Sequence, residues 1–336
     1  MICGCQNRIS LNKQLLDMGY SKDDIVLINN LNSEDSSIFY ESYNSKLLDL
    51  LKDDRFDKDK CSTYFMYYRE FEKDLLFFLV NNNYLNEKNH KIIRRLSNCS
   101  YFIETNLSAY MQHADEFDNT DDLIAHVNVG AYKDPYIDYV ESDTSNPLLI
   151  IANKWHYLGE YEPEDLVTID RKHGVSNAQQ QLRKPCYDAF IKMFDAAYKD
   201  GISIYITSAY RSHDTQINIY NNYLSKDRQE NVDSYSSRPG FSDHQTGLAC
   251  DILSSGFNFE SFVSSRACGW LEENAYKYGF ILRFPKDKTD LTGYVYESWH
   301  YRYVGEAAAK YIHDHNICYE EYYAYFVEYD SPNLNA

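Results

Sequence analysis

At 336 residues the chain is long enough for two domains, each able to bury a core of its own. Hydrophobic residues make up 44% and aromatics 16%, against 13 glycines and 7 prolines, which excludes a low-complexity or largely disordered chain. With 33 basic and 51 acidic residues the formal net charge is -18, and only the short runs RKH (171 to 173) and IIRR (92 to 95) interrupt it, so polyphosphates are repelled and nucleic acid is excluded as a partner.

The chain opens MICGCQNR, without a charged start and a long apolar region, and nowhere carries the roughly 18 consecutive apolar residues that a membrane helix needs. Neither a signal peptide nor a membrane span is expected in it. Ile2-Cys3-Gly4-Cys5 resembles the end of a bacterial lipoprotein cleavage box, in which a small residue precedes the cysteine that is lipidated. A lipid anchor at Cys5 is one expectation, two incidental cysteines the other. The eight cysteines, at 3, 5, 61, 99, 186, 250, 268 and 318, form no CxxC pair and no disulfide framework, so they read as reduced, partly buried side chains.

The first 125 or so residues read as helices. In GYSKDDIVLINNL, Ser21 is placed as an N-cap with Asp24 three residues on, followed by Ile25, Ile28 and Leu31 at helical spacing. NSKLLDLL and HKIIRRL repeat that style. An offset of 46 matches Phe56 with Phe102, Tyr64 with Tyr110 and Phe71 with Phe117, and sets Leu47 and Leu50 opposite Ile93 and Leu96, a weak internal repeat. The charge run DDRFDKDK (53 to 60) lacks the glycine and closing glutamate of a calcium loop and reads as solvated. DLIAHVNVGAY and NPLLIIANKWHYL then change the texture to short β-rich runs around the polar DYVESDTSN (138 to 146), where the boundary is expected: a helical domain over 1 to 138 and a second domain over 139 to 336. Downstream, QLRKPCYDAFIKMFDAAYKDG predicts an amphipathic helix ended by Gly201, ISIYITSAY and LACDIL strands, ACGWLEENAYKYG a helix stopped by Gly279, and FILRF and GYVYESWHYRYVG further strands. The second domain is therefore α+β.

In PGFSDHQTGLACDI, Gly247 can turn the chain so that His244 folds back beside a strand carrying Asp251. Cys250 alternates to the opposite face of that strand, a packing position. In YESWHYRY, Glu297 and His300 sit three apart. Two imidazoles and one carboxylate from separate segments make a three-ligand zinc set with a fourth position for water, which is the catalytic rather than the structural pattern. Glu297 then reads as the base that takes a proton from that water and passes it to a leaving amine. Arg211, between a strand and a helix in TSAYRSHDTQ, is placed to reach a substrate carboxylate with bidentate geometry. Spacing alone leaves Arg211 open between that role and an exposed arginine, and Gln216 between a contact to the same ligand and a helix-surface amide.

TSAYRS, PGFSDHQTGLACDI, WLEENAYKYGFILRFP and GYVYESWHYRYVG resemble, in this order, the motifs of the VanY-type D-alanyl-D-alanine carboxypeptidases, zinc peptidases that trim bacterial peptidoglycan. ANKWHYLGEYEPEDLVTI resembles the segment that opens their catalytic domain, and the likeness runs from about residue 147 to 316. It implies a small antiparallel sheet backed by helices, shared with lysostaphin and hedgehog zinc domains, for the domain that follows the mostly helical N-terminal one. It implies His244, Asp251 and His300 as ligands of Zn2+, Glu297 as base, Arg211 on the terminal carboxylate or oxyanion, and Gln216 and Ser242 as further substrate contacts. Asp243 departs from the glutamate common in such motifs. The implied activity is removal of the terminal D-alanine from a peptidoglycan stem peptide. The alternatives are an L,D-carboxypeptidase or endopeptidase with the same zinc site, and a non-catalytic zinc domain that binds the wall. Such a substrate lies outside the membrane, so an extracytoplasmic protein is expected, in the cell wall or held as a membrane-anchored lipoprotein.

Overall fold

Ser21 and Asp24 form the reciprocal cap their spacing predicts: the Asp24 amide donates to the Ser21 hydroxyl at 3.1 Å and the Ser21 amide to the Asp24 carboxylate at 2.9 Å, starting α1 (Lys22–Asn29). The computed structural model describes residues 12–31, 45–174 and 180–327, so Cys3, Cys5 and the expected anchor lie outside the described residues. No helix among the described residues is long and apolar enough to cross a membrane. The chain divides into two compact units, residues 1–100 and 101–336.

The first unit continues with α2 (Ser45–Leu51), α3 (Cys61–Tyr67), α4 (Lys73–Asn81) and α5 (Glu87–Ser97). Leu47, Leu50, Tyr64, Phe77, Leu79, Ile93 and Leu96 are buried. The second unit begins with α6 (Leu107–His113) and α7 (Thr120–Asn128). The pairs α3–α4 and α6–α7 are built alike. In each, a fully buried tyrosine, Tyr64 or Tyr110, donates to the side-chain oxygen of the asparagine that ends the following helix, Asn81 or Asn128.

One expectation changes here. DLIAHVNVGAY, read as β-rich, is mostly the helix α7: the Asn119 side chain accepts from the Asp121 amide at 3.0 Å, two aspartates fill the first turn, and Leu123, Ile124, Ala125 and Val127 face the interior. The expected boundary at 138 falls inside the second unit. Asn128 ties α7 to the rest of that unit by donating to the Tyr101 and Ala324 carbonyls at 3.1 and 3.3 Å, and the Tyr325 hydroxyl donates to the Asp121 carbonyl at 3.2 Å.

Two small ribbons come next, β1 (Val140–Glu141) parallel to β2 (His156–Tyr157), and β3 (Leu166–Thr168) antiparallel to β4 (Gln181–Arg183). From β4 the chain passes into α8 (Lys184–Lys199), where Pro185 occupies the first turn and needs no amide donor. Gly201, at φ 72°, ends it as expected. The main sheet holds β5 (Tyr205–Ser208), β6 (Ala249–Leu253), β7 (Phe280–Leu282) and β8 (His300–Tyr303) in the order β5-β6-β8-β7, each neighbouring pair antiparallel. Between them run α9 (His213–Leu224), α10 (Gln229–Tyr235), α11 (Arg266–Asn274) and the short α12 (Thr289–Thr292). Cys186, Phe190, Met193 and Ala197 of α8 share one core with Ile206, Cys250, Ile252, Leu271 and Phe280, so Cys250 packs inward as its alternation predicts. α13 (Glu306–His315) and α14 (Tyr319–Tyr322) follow, and a wide helical turn over Tyr323–Val327 closes the described chain. GYVYESWHYRYVG yields one strand rather than a long ribbon, because the His300 amide donates back to the Glu297 carbonyl at 3.2 Å in a tight turn.

Candidate active site

The turn before β6 sets the first of the expected ligands. Residues Asp243–Thr246 form a single 3-10 turn closed by Gly247 at φ 67°. A Cβ added at Gly247 would lie 2.8 Å from Arg183 Cγ and 3.1 Å from Leu166 Cδ2, so the position demands glycine on two counts. Gly247→Ala is expected to lower the unfolding free energy by about 1–3 kcal/mol, read from a urea titration; an unchanged midpoint would show that the turn adapts.

From that turn His244 folds back under β5, where its Nδ1–H donates to the Ala209 carbonyl at 2.8 Å and its Nε2 stands 3.4 Å from Asp251 Oδ1. Asp251 pairs in register with Ser208 on one side and His300 on the other, and His300 Nδ1 lies 3.5 Å from the same Oδ1. One donor atom from each of His244, Asp251 and His300 thus falls within 4.8 Å of the others. All three side chains are buried, and Asp251 Oδ1 is a buried oxygen that accepts no hydrogen bond among the described residues. An ionised oxygen left bare between two imidazole nitrogens fits a soft-to-borderline cation such as zinc. The outer shell fits as well: His244 is fixed by a backbone carbonyl, and His300 Nε2 meets Asp243 Oδ2 at 3.3 Å.

Electrostatics agree with the geometry. Burial alone would raise the Asp251 carboxyl, but His244, Arg211 and His300 hold it well below the usual carboxylate range. Burial lowers the His244 pKa, aided by Arg211, which keeps the imidazole in its ligating neutral form. Burial also opposes charge on His300, yet Asp243, Glu297 and Asp251 raise it to about 9. Glu297 Oε2 is 3.1 Å from that Nδ1, and burial raises the Glu297 carboxyl against the pull of His300.

Arg211 is held at the rim, its Nε and Nη2 donating to Ser208 Oγ at 3.1 and 2.9 Å and its Nη2 to Asp251 Oδ2 at 3.1 Å. Its Nη1 makes no hydrogen bond among the described residues. A cavity of about 420 Å³ opens over these groups, lined also by Tyr223, Tyr235, Phe259 and Trp299. Ser242 lines it; Gln216 does not. The Gln216 amide is buried behind the wall and donates to the Ser237 carbonyl at 2.8 Å, so the structure separates it from the other expected site residues. Sequence reasoning gives Asp243 no role and passes over Arg283 and Arg302. The signal that could have found the arginines is a charged residue within or directly after a short apolar strand, and both are fully buried.

Residues 179–306 match the profile of the VanY family, described as D-alanyl-D-alanine carboxypeptidase. YodJ of Bacillus subtilis (strain 168), a provisionally named carboxypeptidase, is 45% identical over 182 residues, covering 52% of this chain and 67% of that protein. A D-alanyl-D-alanine carboxypeptidase of Enterococcus faecium is 36% identical over 188 residues, covering 54% of this chain and 58% of that one. Matches to these curated relatives thus span about three fifths to two thirds of their length. Among solved structures, the LdcB LD-carboxypeptidase is similar with 44% identity and a TM-score of 0.51, over 54% of this chain and 88% of that one. The ordered motifs, the sheet that carries them and these relatives agree: the chain belongs to the VanY family of D-alanyl-D-alanine carboxypeptidases.

Proposed function

We propose that the protein is a zinc-dependent carboxypeptidase that removes the terminal D-alanine from peptidoglycan stem peptides, working outside the cytoplasmic membrane. The observation that carries this reading is the bare Asp251 Oδ1 between His244 Nε2 and His300 Nδ1, with Glu297 beside it and Arg211 at the rim. His244, Asp251 and His300 would hold the metal, which when bound supplies a Lewis acid that activates water and polarises the scissile carbonyl.

The chain's own residues do the rest. The Glu297 carboxylate accepts a proton from the attacking water and delivers it to the amine of the departing D-alanine as the C–N bond breaks and a C–O bond replaces it. Its raised pKa brings it nearer the working pH for both transfers. Arg211 offers Nη1 to the free carboxylate of the substrate, and its other nitrogens, fixed by Ser208 and Asp251, keep the fork from turning away. Phe259 and Trp299, with ring centroids 5.0 Å apart, give the cavity an aromatic wall.

Likeness to LdcB, whose structure is described as revealing peptidoglycan recognition by an LD-carboxypeptidase, favours a second reading in which the substrate is a tetrapeptide. Mass spectrometry of purified pentapeptide and tetrapeptide stems, incubated with the zinc-loaded protein, separates the two. Loss of one D-alanine from the pentapeptide is the expected result. Loss from the tetrapeptide alone moves the assignment to L,D specificity, and intact stems with zinc bound overturn both.

A further inference from the structure

Behind the ligand His300 lies a buried chain of charges that ends on α14, outside the family match. Asp243 Oδ2 meets His300 Nε2 at 3.3 Å, while its Oδ1 accepts from Arg302 Nη1 and lies 3.7 Å from Arg283 Nε. Arg302 is fixed in turn by the Ile150 carbonyl at 2.6 Å and the Leu148 carbonyl at 3.3 Å. Arg283 turns its fork the other way, with Nη1 and Nη2 on the two carboxylate oxygens of Glu320 at 2.9 and 2.7 Å. Asn153 Nδ2 adds a third donor to Glu320 at 3.1 Å. Asp243, Arg283, Arg302 and Glu320 are each no more than 3% exposed.

Two guanidinium groups and two carboxylates balance with no net charge. Within this buried set Glu320 neutralises Arg283, and its bidentate grip aims Arg283 Nε at Asp243. Without the Glu320 charge, an uncompensated cation would stand beside Asp243 in a poorly screened interior. That cation would compete with His300 for the carboxylate and oppose a dication held at His300 Nδ1.

We propose that Glu320 and Arg283 are positioning residues of the metal site, acting through Asp243 to orient His300 and to set the local charge that a metal ion meets. This rests on the zinc reading above. It makes α14, beyond the residues that match the family profile, part of the working centre.

The test is the zinc dissociation constant of the full chain, measured by competition with a chromophoric chelator, with the thermal midpoint recorded for each variant. Glu320→Gln is expected to weaken zinc binding by about 10–100-fold, the usual cost of a lost outer-shell partner. Adding Arg283→Met removes the stranded cation and is expected to return the affinity most of the way. Unchanged affinity in Glu320→Gln overturns the proposal, and so does an equal loss in single and double variants, which would report disturbed packing. Should Glu320→Gln fail to fold, Glu320→Asp keeps the charge but loosens the grip, and it is expected to bind zinc several-fold more weakly; wild-type affinity there overturns the proposal. A wild-type chain that binds no zinc overturns the zinc reading itself, and the relay with it.

Discussion

A Glu297→Gln chain is expected to bind zinc and stem peptide as the wild type does, yet to hydrolyse the peptide about 10²–10⁴-fold more slowly. The substitution keeps the shape of the side chain and removes only its capacity to hold the proton. Its neighbours favour a clean result: Glu297 touches His300 through Oε2 alone, and it is no member of the three-donor cluster. The measurement is kcat and KM on the preferred stem, with zinc content determined on the same samples. A fall in kcat at steady KM and full zinc content is the signature of a lost base. A kcat within a few-fold of wild type would remove Glu297 from the mechanism, and the proton would have to travel by another group.

Asp251→Asn is the second large expected effect. The amide fills the same space but brings no negative charge to the two imidazoles and leaves Arg211 without its anion. Zinc content after dialysis is expected to fall from one equivalent to near none, with hydrolysis at background. The fold should survive, because Arg211 keeps some solvent contact and its bonds to Ser208. Metal analysis and circular dichroism on one preparation decide the matter: a folded protein that retains its zinc would show that Asp251 is not a ligand.

These groups are legible in the sequence for identifiable reasons. His244 and Asp251 are joined by a turn that only glycine permits, and Glu297 and His300 lie on one turn of chain, so each pair is a local constraint that spacing can reveal. The helical first unit is legible through caps and apolar periodicity, as at Ser21. What escapes depends on distant partners. Asp243 is explained by Arg283, Arg302 and Glu320, all far along the chain from it, and no local pattern announces that four buried charges will meet. Gln216 falls outside the cavity lining because helical spacing does not tell which face of α9 lies toward the cavity and which toward Ser237. The β-branched texture of DLIAHVNVGAY points to strand, but the Asn119 cap and the burial of one helical face decide otherwise.

The pairing of Ser208 with Asp251, and of Asp251 with His300, sets two of the expected metal ligands and the hydroxyl that holds Arg211 in one row across three strands that are far apart in sequence. Such a centre cannot be half built. A slip of one residue in β6 would present the Cys250 thiol in place of the carboxylate and turn Asp251 into the hydrocarbon core. A cation seated there would tie the turn before β6 to β6 and β8, so a chelator should lower the denaturation midpoint while leaving the protein folded, and added zinc should protect it from proteolysis in proportion to the logarithm of its concentration.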